Sequence, residues 1–123
     1  MAATLHEAAE SGDVAAVRIL VASGADVEEP DEHGLRPLHW AAFNGRVEVL
    51  KVLVEAGTAK EAKMVDGATP LHIAARHGQV EAMEALVALG ANKEAKTAHG
   101  GTPLHSAACN GHVEAIHALV KLA

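Results

Sequence analysis

The sequence predicts an all-α solenoid of stacked helical units, and three observations predict it. The chain repeats itself at an offset of 33 residues: Gly34 recurs as Gly67 and Gly100, Pro37 as Pro70 and Pro103, and His6 as His39, His72 and His105. Half of the 123 residues are hydrophobic but only 2% are aromatic, so Ala, Val and Leu must build the interior, and Ala at this density favours closely packed helices. Finally, no single unit can bury its apolar stripe alone, whereas stacked units share one continuous core.

The units follow in order. Residues 31–63 and 64–96 are identical at 16 of 33 positions with no gap between them, which fixes the period. Residues 97–123 repeat the first 27 positions, and residues 1–30 supply the same unit without its first three. The expected organisation is one array over 1–123: an N-terminal capping unit 1–30, repeat two 31–63, repeat three 64–96 and a C-terminal capping unit 97–123.

Each unit reads as two helices. In GATPLHIAARHG, residues 67–78, Thr69 suits an N-cap and Pro70 the first helical turn. Leu71, Ala74 and Ala75 then recur at i, i+3 and i+4, a narrow buried face, and Gly78 ends the helix. The second helix follows as VEAMEALVALG, with Val80, Met83, Leu86 and Val87 on one side. Its counterparts are Val14, Val17, Leu20 and Val21; Val47, Leu50, Leu53 and Val54; and Val113, Ile116, Leu119 and Val120. A Gly at 24, 57 or 90 stands where a left-handed terminator is wanted, and the connections to the next unit read as extended turns or hairpins.

The unit GxTPLHxAAxxGxVE, followed by LVxxGA, closely resembles the ankyrin repeat over essentially the whole chain, with three copies of PLHxAA and a degenerate LHEAA. The resemblance implies antiparallel helix pairs stacked into a curved array, β-hairpin-like fingers at right angles to them, and a concave groove formed by the fingers and first helices. It implies a structural role for His6, His39, His72 and His105, bonding around the Thr and the adjacent finger. It also implies protein recognition.

Several residues depart from the pattern. Arg36 stands where Thr69 and Thr102 can accept a cap hydrogen bond, and arginine has no acceptor. Where the family often has Val-Asn, this chain has Val27-Glu28, Lys60-Glu61 and Lys93-Glu94, so chemistry that modifies that Asn has no substrate here. Glu7 replaces the apolar residue seen as Trp40 or Ile73, placing charge where a preceding neighbour would sit. At the other end, His105, Ser106, His112, His117 and Lys121 give a weaker cap.

Composition excludes several functions. A net charge of −6 without a basic tract argues against nucleic acid, which needs clustered Lys and Arg. The apolar stretches fall far short of the roughly 20 residues that span a bilayer. One cysteine and an N-terminus without a signal-like run suit a reducing, cytoplasmic setting, compatible also with the nucleus. His33, His77, His99, His112 and His117 show no tetrahedral ligand spacing, so no metal or other cofactor is expected. Cys109 lies four residues after His105, the beginning of a nucleophilic pair, but no oxyanion site or third group completes it. No catalytic residue and no small-molecule substrate are expected.

What remains is a surface. At 100° per residue, Trp40 and Phe43 lie about 150° from the centre of the buried face of their helix and point away from its partner helix. Trp40 aligns with Ile73 and reads as a half-buried packing residue whose indole edge lines the groove. Phe43 aligns with Arg76 and Cys109, a combination that core volume would not tolerate, and reads as exposed. Beside it run Asn44, His77 and Asn110 from successive first helices, with His33, Leu35, Met64, Val65 and His99 from the fingers. The expected function is a non-enzymatic interaction module, monomeric, binding a protein or peptide through this strip and the finger tips. The alternatives are a structural or engineered repeat scaffold without an evolved ligand, and self-stacking through the last repeat. The first finger adds a second feature, an acidic concentration of Asp26, Glu28, Glu29, Asp31 and Glu32.

Overall fold

The computed structural model describes residues 4–122. Eight helices follow in order: α1 (Leu5–Ser11), α2 (Val14–Ala22), α3 (Pro37–Phe43), α4 (Val47–Glu55), α5 (Pro70–Arg76), α6 (Val80–Ala88), α7 (Pro103–Cys109) and α8 (Val113–Lys121). Among the described residues there is no strand. First helices pack on first helices, α1 on α3, α3 on α5 and α5 on α7; second helices do the same, α2 on α4, α4 on α6 and α6 on α8. The expected all-α stack of helix pairs is the architecture that forms.

The core lies between the two rows. Leu38, Ala41 and Ala42 on α3, and Leu71, Ala74 and Ala75 on α5, are buried against Val49, Leu50, Leu53, Met83 and Leu86. Ala at two of the three inner positions of each first helix lets the backbones approach closely. Burial fades at the last unit, which among the described residues is covered on one side only: Leu71 is 0% exposed and its counterpart Leu104 41%.

The connections are turns closed like hairpins rather than paired strands. Asp31 N donates to Leu35 O, Met64 N to Ala68 O and Thr97 N to Gly101 O, each at 2.8–2.9 Å. Gly34, Gly67 and Gly100 form their tips. At Gly67 the φ of 86° favours glycine, and an added Cβ would lie 2.8 Å from Ala98 N. Adjacent fingers meet there, with Ala98 N donating to Asp66 O at 3.0 Å.

Caps hold the first helices in register. Thr69 Oγ1 accepts from His72 N, and Thr69 N donates back to His72 Nδ1 at 3.0 Å. Thr102 and His105 do the same, and in α1 the pair is Thr4 and Glu7. Thus Glu7, beyond placing charge at the open end, closes a capping box. The His rings then tie each first helix to the loop beyond its helix pair: His39 Nε2 donates to Ala62 O at 2.8 Å at the end of repeat two, and His72 Nε2 donates to Gly101 O of the following unit at 2.9 Å. The glutamates that stand where the family often has Asn, and the Lys before the second of them, stitch the loops together as well. Glu28 accepts from Ala59 N and Glu61 from Asn92 N, while Lys60 Nζ donates to Leu89 O.

Arg36 makes no side-chain cap, as its chemistry requires, but its guanidinium reaches Glu28 Oε2 at 3.2 Å. A cap contributes on the order of 1 kcal/mol and a partly exposed ion pair about 0–1. Arg36→Thr is therefore expected to raise the melting midpoint modestly, and to raise it further in a Glu28→Gln background, where no ion pair is lost. A lower midpoint for Arg36→Thr in both backgrounds would contradict the cap argument.

Candidate functional site

The ends of the first helices place equivalent residues side by side along the array. The second helices fix this alignment by reaching back to them: Arg46 Nε donates to Glu10 O at 2.9 Å, and Gln79 Nε2 donates to Phe43 O at 3.1 Å. The equivalent residue of α2 is Asp13, which caps its own helix by accepting from Ala16 N. Glu10, Phe43, Arg76 and Cys109 thus form one row, with Glu7, Trp40, Ile73 and Ser106 as a second row beside it.

In the second row, Trp40 is half-buried and packs against the core, while Ile73 is only 3% exposed. Pointing away from the partner helix does not expose these side chains, because α5 is sandwiched between α3 and α7 and neighbouring units cover that flank. Trp40 Nε1 donates to Asp31 Oδ2 at 2.8 Å, which fixes the indole against the first finger. Burial alone would raise the pKa of Asp31. Hydrogen bonds from Leu35 N, Trp40 Nε1 and His33 N, with the nearby His33 ring, more than offset it and hold the carboxyl below its ordinary value. An ionised carboxylate therefore lies under the indole at neutral pH.

Phe43 is 40% exposed. Its ring centroid lies 5.9 Å from that of Trp40 and 4.1 Å from that of His77, both tilted. Three aromatic rings thus run from α3 to the end of α5. Partial burial first, and then the positive field of Arg76 and His112, push His77 below its ordinary pKa, so a neutral imidazole is the ring beside Phe43. Arg76 is half-buried and pairs with Asp66 Oδ2 at 3.6 Å, which ties the row to the second finger. On that finger Val65 is 97% exposed and Met64 half-buried.

The other sequence-predicted residues divide. Asn44 and Asn110 use their amides on their own helices, Nδ2 donating to Trp40 O and Ser106 O, so they are helix ends first and surface second. His33, His99 and Cys109 are exposed, and Leu35 is half-buried. His105 Nδ1 accepts from Thr102 N at 3.0 Å, so the ring serves the cap of its own helix. Among the described residues no three His, Cys, Asp or Glu converge as metal ligands, and no helix is long and apolar enough to cross a membrane. Sequence reasoning counted Asp31 only within the acidic first finger, without its contact to Trp40, and missed Asp66. They occupy different positions of their fingers, so no periodicity relates them, and only the fold brings each to its ring or guanidinium.

Two family models match the chain. One, described as ankyrin repeats (many copies), covers residues 5–54; the other, described as ankyrin repeats (3 copies), covers residues 59–123. No curated protein matches it.

Proposed function

Since the chain belongs to the ankyrin-repeat family, whose members are generally protein-interaction modules, we propose that it is a non-enzymatic binding module. It presents a preformed groove, lined by the ends of the first helices and the fingers, to a protein or peptide. The observation that supports this most is Phe43, a large aromatic left 40% exposed on a scaffold that otherwise builds its interior from small aliphatic residues. A rigid array lowers the ordering cost of binding, and aromatic and Arg side chains dominate interface energies. Phe43 and Arg76 are the anchors, and Trp40, His77 and the Met64–Val65 tip form the surround. In this reading the chain acts as a monomer in a reducing compartment such as the cytoplasm, and its net charge of −6 disfavours nucleic acid.

Peptides selected from a displayed random library against the chain provide the test. Phe43→Ala and Arg76→Ala are each expected to weaken the selected peptide by about 1–3 kcal/mol, read by calorimetry. Full affinity in the double variant would place the site on the convex face or elsewhere. An array with no ligand at all would yield no enriched peptide.

A further inference from the structure

The net charge of the chain is concentrated at one end. Residues 1–45 carry eight acidic and two basic side chains, whereas residues 46–123 carry eight of each, so the entire formal charge of −6 belongs to the first unit and the helix that follows it. One of the two basic groups, Arg36, is already paired with Glu28.

The same polarity runs along the candidate groove. In the row fixed by the back-reaching Arg46 and Gln79, Glu10 precedes Phe43, and Arg76 follows it with its charge offset by Asp66. Beside Phe43, Trp40 rests on the ionised Asp31. An apolar ring is therefore flanked on its N-terminal side by carboxylates and on its C-terminal side by an ion pair. Arg46, whose Nε is held on Glu10 O, adds a cation beside Glu10, but the carboxylates of Glu10 and Asp31 stand against it, so the balance on this side of Phe43 favours a cationic ligand.

We propose, resting on the groove reading above, that the partner is an extended basic peptide segment with an apolar side chain on Phe43 and a Lys or Arg directed at Glu10 and Asp31. The separation follows from the scaffold. Neighbouring packed helices lie about 8–10 Å apart, and an extended chain rises about 3.3 Å per residue, so the basic residue stands about three positions from the apolar one. The field of the first unit steers such a segment, and the ring seats it.

The test sequences the peptides enriched from a random 12-residue library on the full chain and measures their affinity through emission of Trp40, the sole Trp in a chain without Tyr. The proposal expects Lys or Arg enriched about three positions from an apolar residue and at least tenfold weaker binding in Phe43→Ala. It also expects a similar loss in Glu10→Lys and affinity that falls several-fold between 0.05 and 0.5 M salt. Acidic or uncharged peptides that still need Phe43 would overturn the basic partner and leave the groove standing. Peptides indifferent to Phe43, or no enrichment at all, would overturn both. Circular dichroism of Phe43→Ala and Glu10→Lys separates lost binding from lost folding, and Glu10→Gln, with an intermediate loss, separates charge from shape.

Discussion

Leu71→Ala is expected to lower stability by about 2–5 kcal/mol, a drop of roughly 10 °C or more in melting midpoint for a chain of this size. Leu104→Ala, the same change at the equivalent position one repeat later, is expected to have a far smaller effect. The reason is the stacking itself. Leu71 is enclosed, at 0% exposure, between its own second helix and the neighbouring pairs, and its removal leaves a cavity that Ala-rich neighbours cannot collapse to fill. Leu104 is 41% exposed because, among the described residues, α7 has a first-helix neighbour on one side only, so much of its side chain is in water before the substitution. Thermal or denaturant unfolding of the two variants measures the difference. Equal losses would mean that burial in this array does not depend on the following repeat.

Stability is also expected to decline on mild acidification, through His39 and His72. Both rings are fully buried and committed at both nitrogens. In His72, Nδ1 accepts from Thr69 N and Nε2–H donates to Gly101 O; in His39, Nδ1 accepts from Arg36 N and Nε2–H donates to Ala62 O. A proton on Nδ1 would turn an occupied acceptor into a donor facing a donor. Burial first, with a smaller contribution from the nearby Arg36 or Arg76, holds both below the ordinary 6.5, against the opposing pull of their carbonyl partners.

The sign follows from proton counting. Above pH 6.5 neither state takes up a proton at these rings and their contribution to stability is complete. Below it the unfolded chain is protonated and the folded chain is not, so stability falls by up to about 1.4 kcal/mol per ring per pH unit until the folded rings titrate. The melting midpoint should hold between about pH 8 and 7 and fall between about 6.5 and 5. His72→Leu should start lower, because it leaves Thr69 N–H and Gly101 O without their partner, and should show a shallower acid decline. An acid decline of unchanged slope in that variant would assign the effect to other groups. Asp31 acts in a separate window, its contribution being complete above its ordinary 3.8 and lost as pH falls below that value.

The repeat frame was readable because it rests on local chemistry. Thr69-Pro70 marks a helix start, the Leu71, Ala74, Ala75 spacing marks a face, and glycines mark the ends. α1 shows where alignment alone falls short. It begins at Leu5 behind Thr4, one position later than Pro37 would place it, since the unit has no proline and Thr4 with Glu7 forms its cap. Exposure of Phe43 followed from its unlike counterparts Arg76 and Cys109, and half-burial of Trp40 from its counterpart Ile73. The angle from the buried face does not by itself decide exposure, since Ile73, at the position of Trp40, is 3% exposed on a helix with neighbours on both sides. Contacts between units, such as Gln79 to the carbonyl of Phe43, join residues 36 apart and have no sequence signature.

The central claim is that ligand is bound on the row of first-helix ends. Amide hydrogen exchange of the chain with and without a library-selected peptide tests it most directly. The account predicts slowed exchange at Trp40–Asn44, at Arg76–Gly78 and in the Met64–Asp66 tip, with the outer helices α4 and α6 unchanged. Slowing confined to α4 and α6 would contradict it.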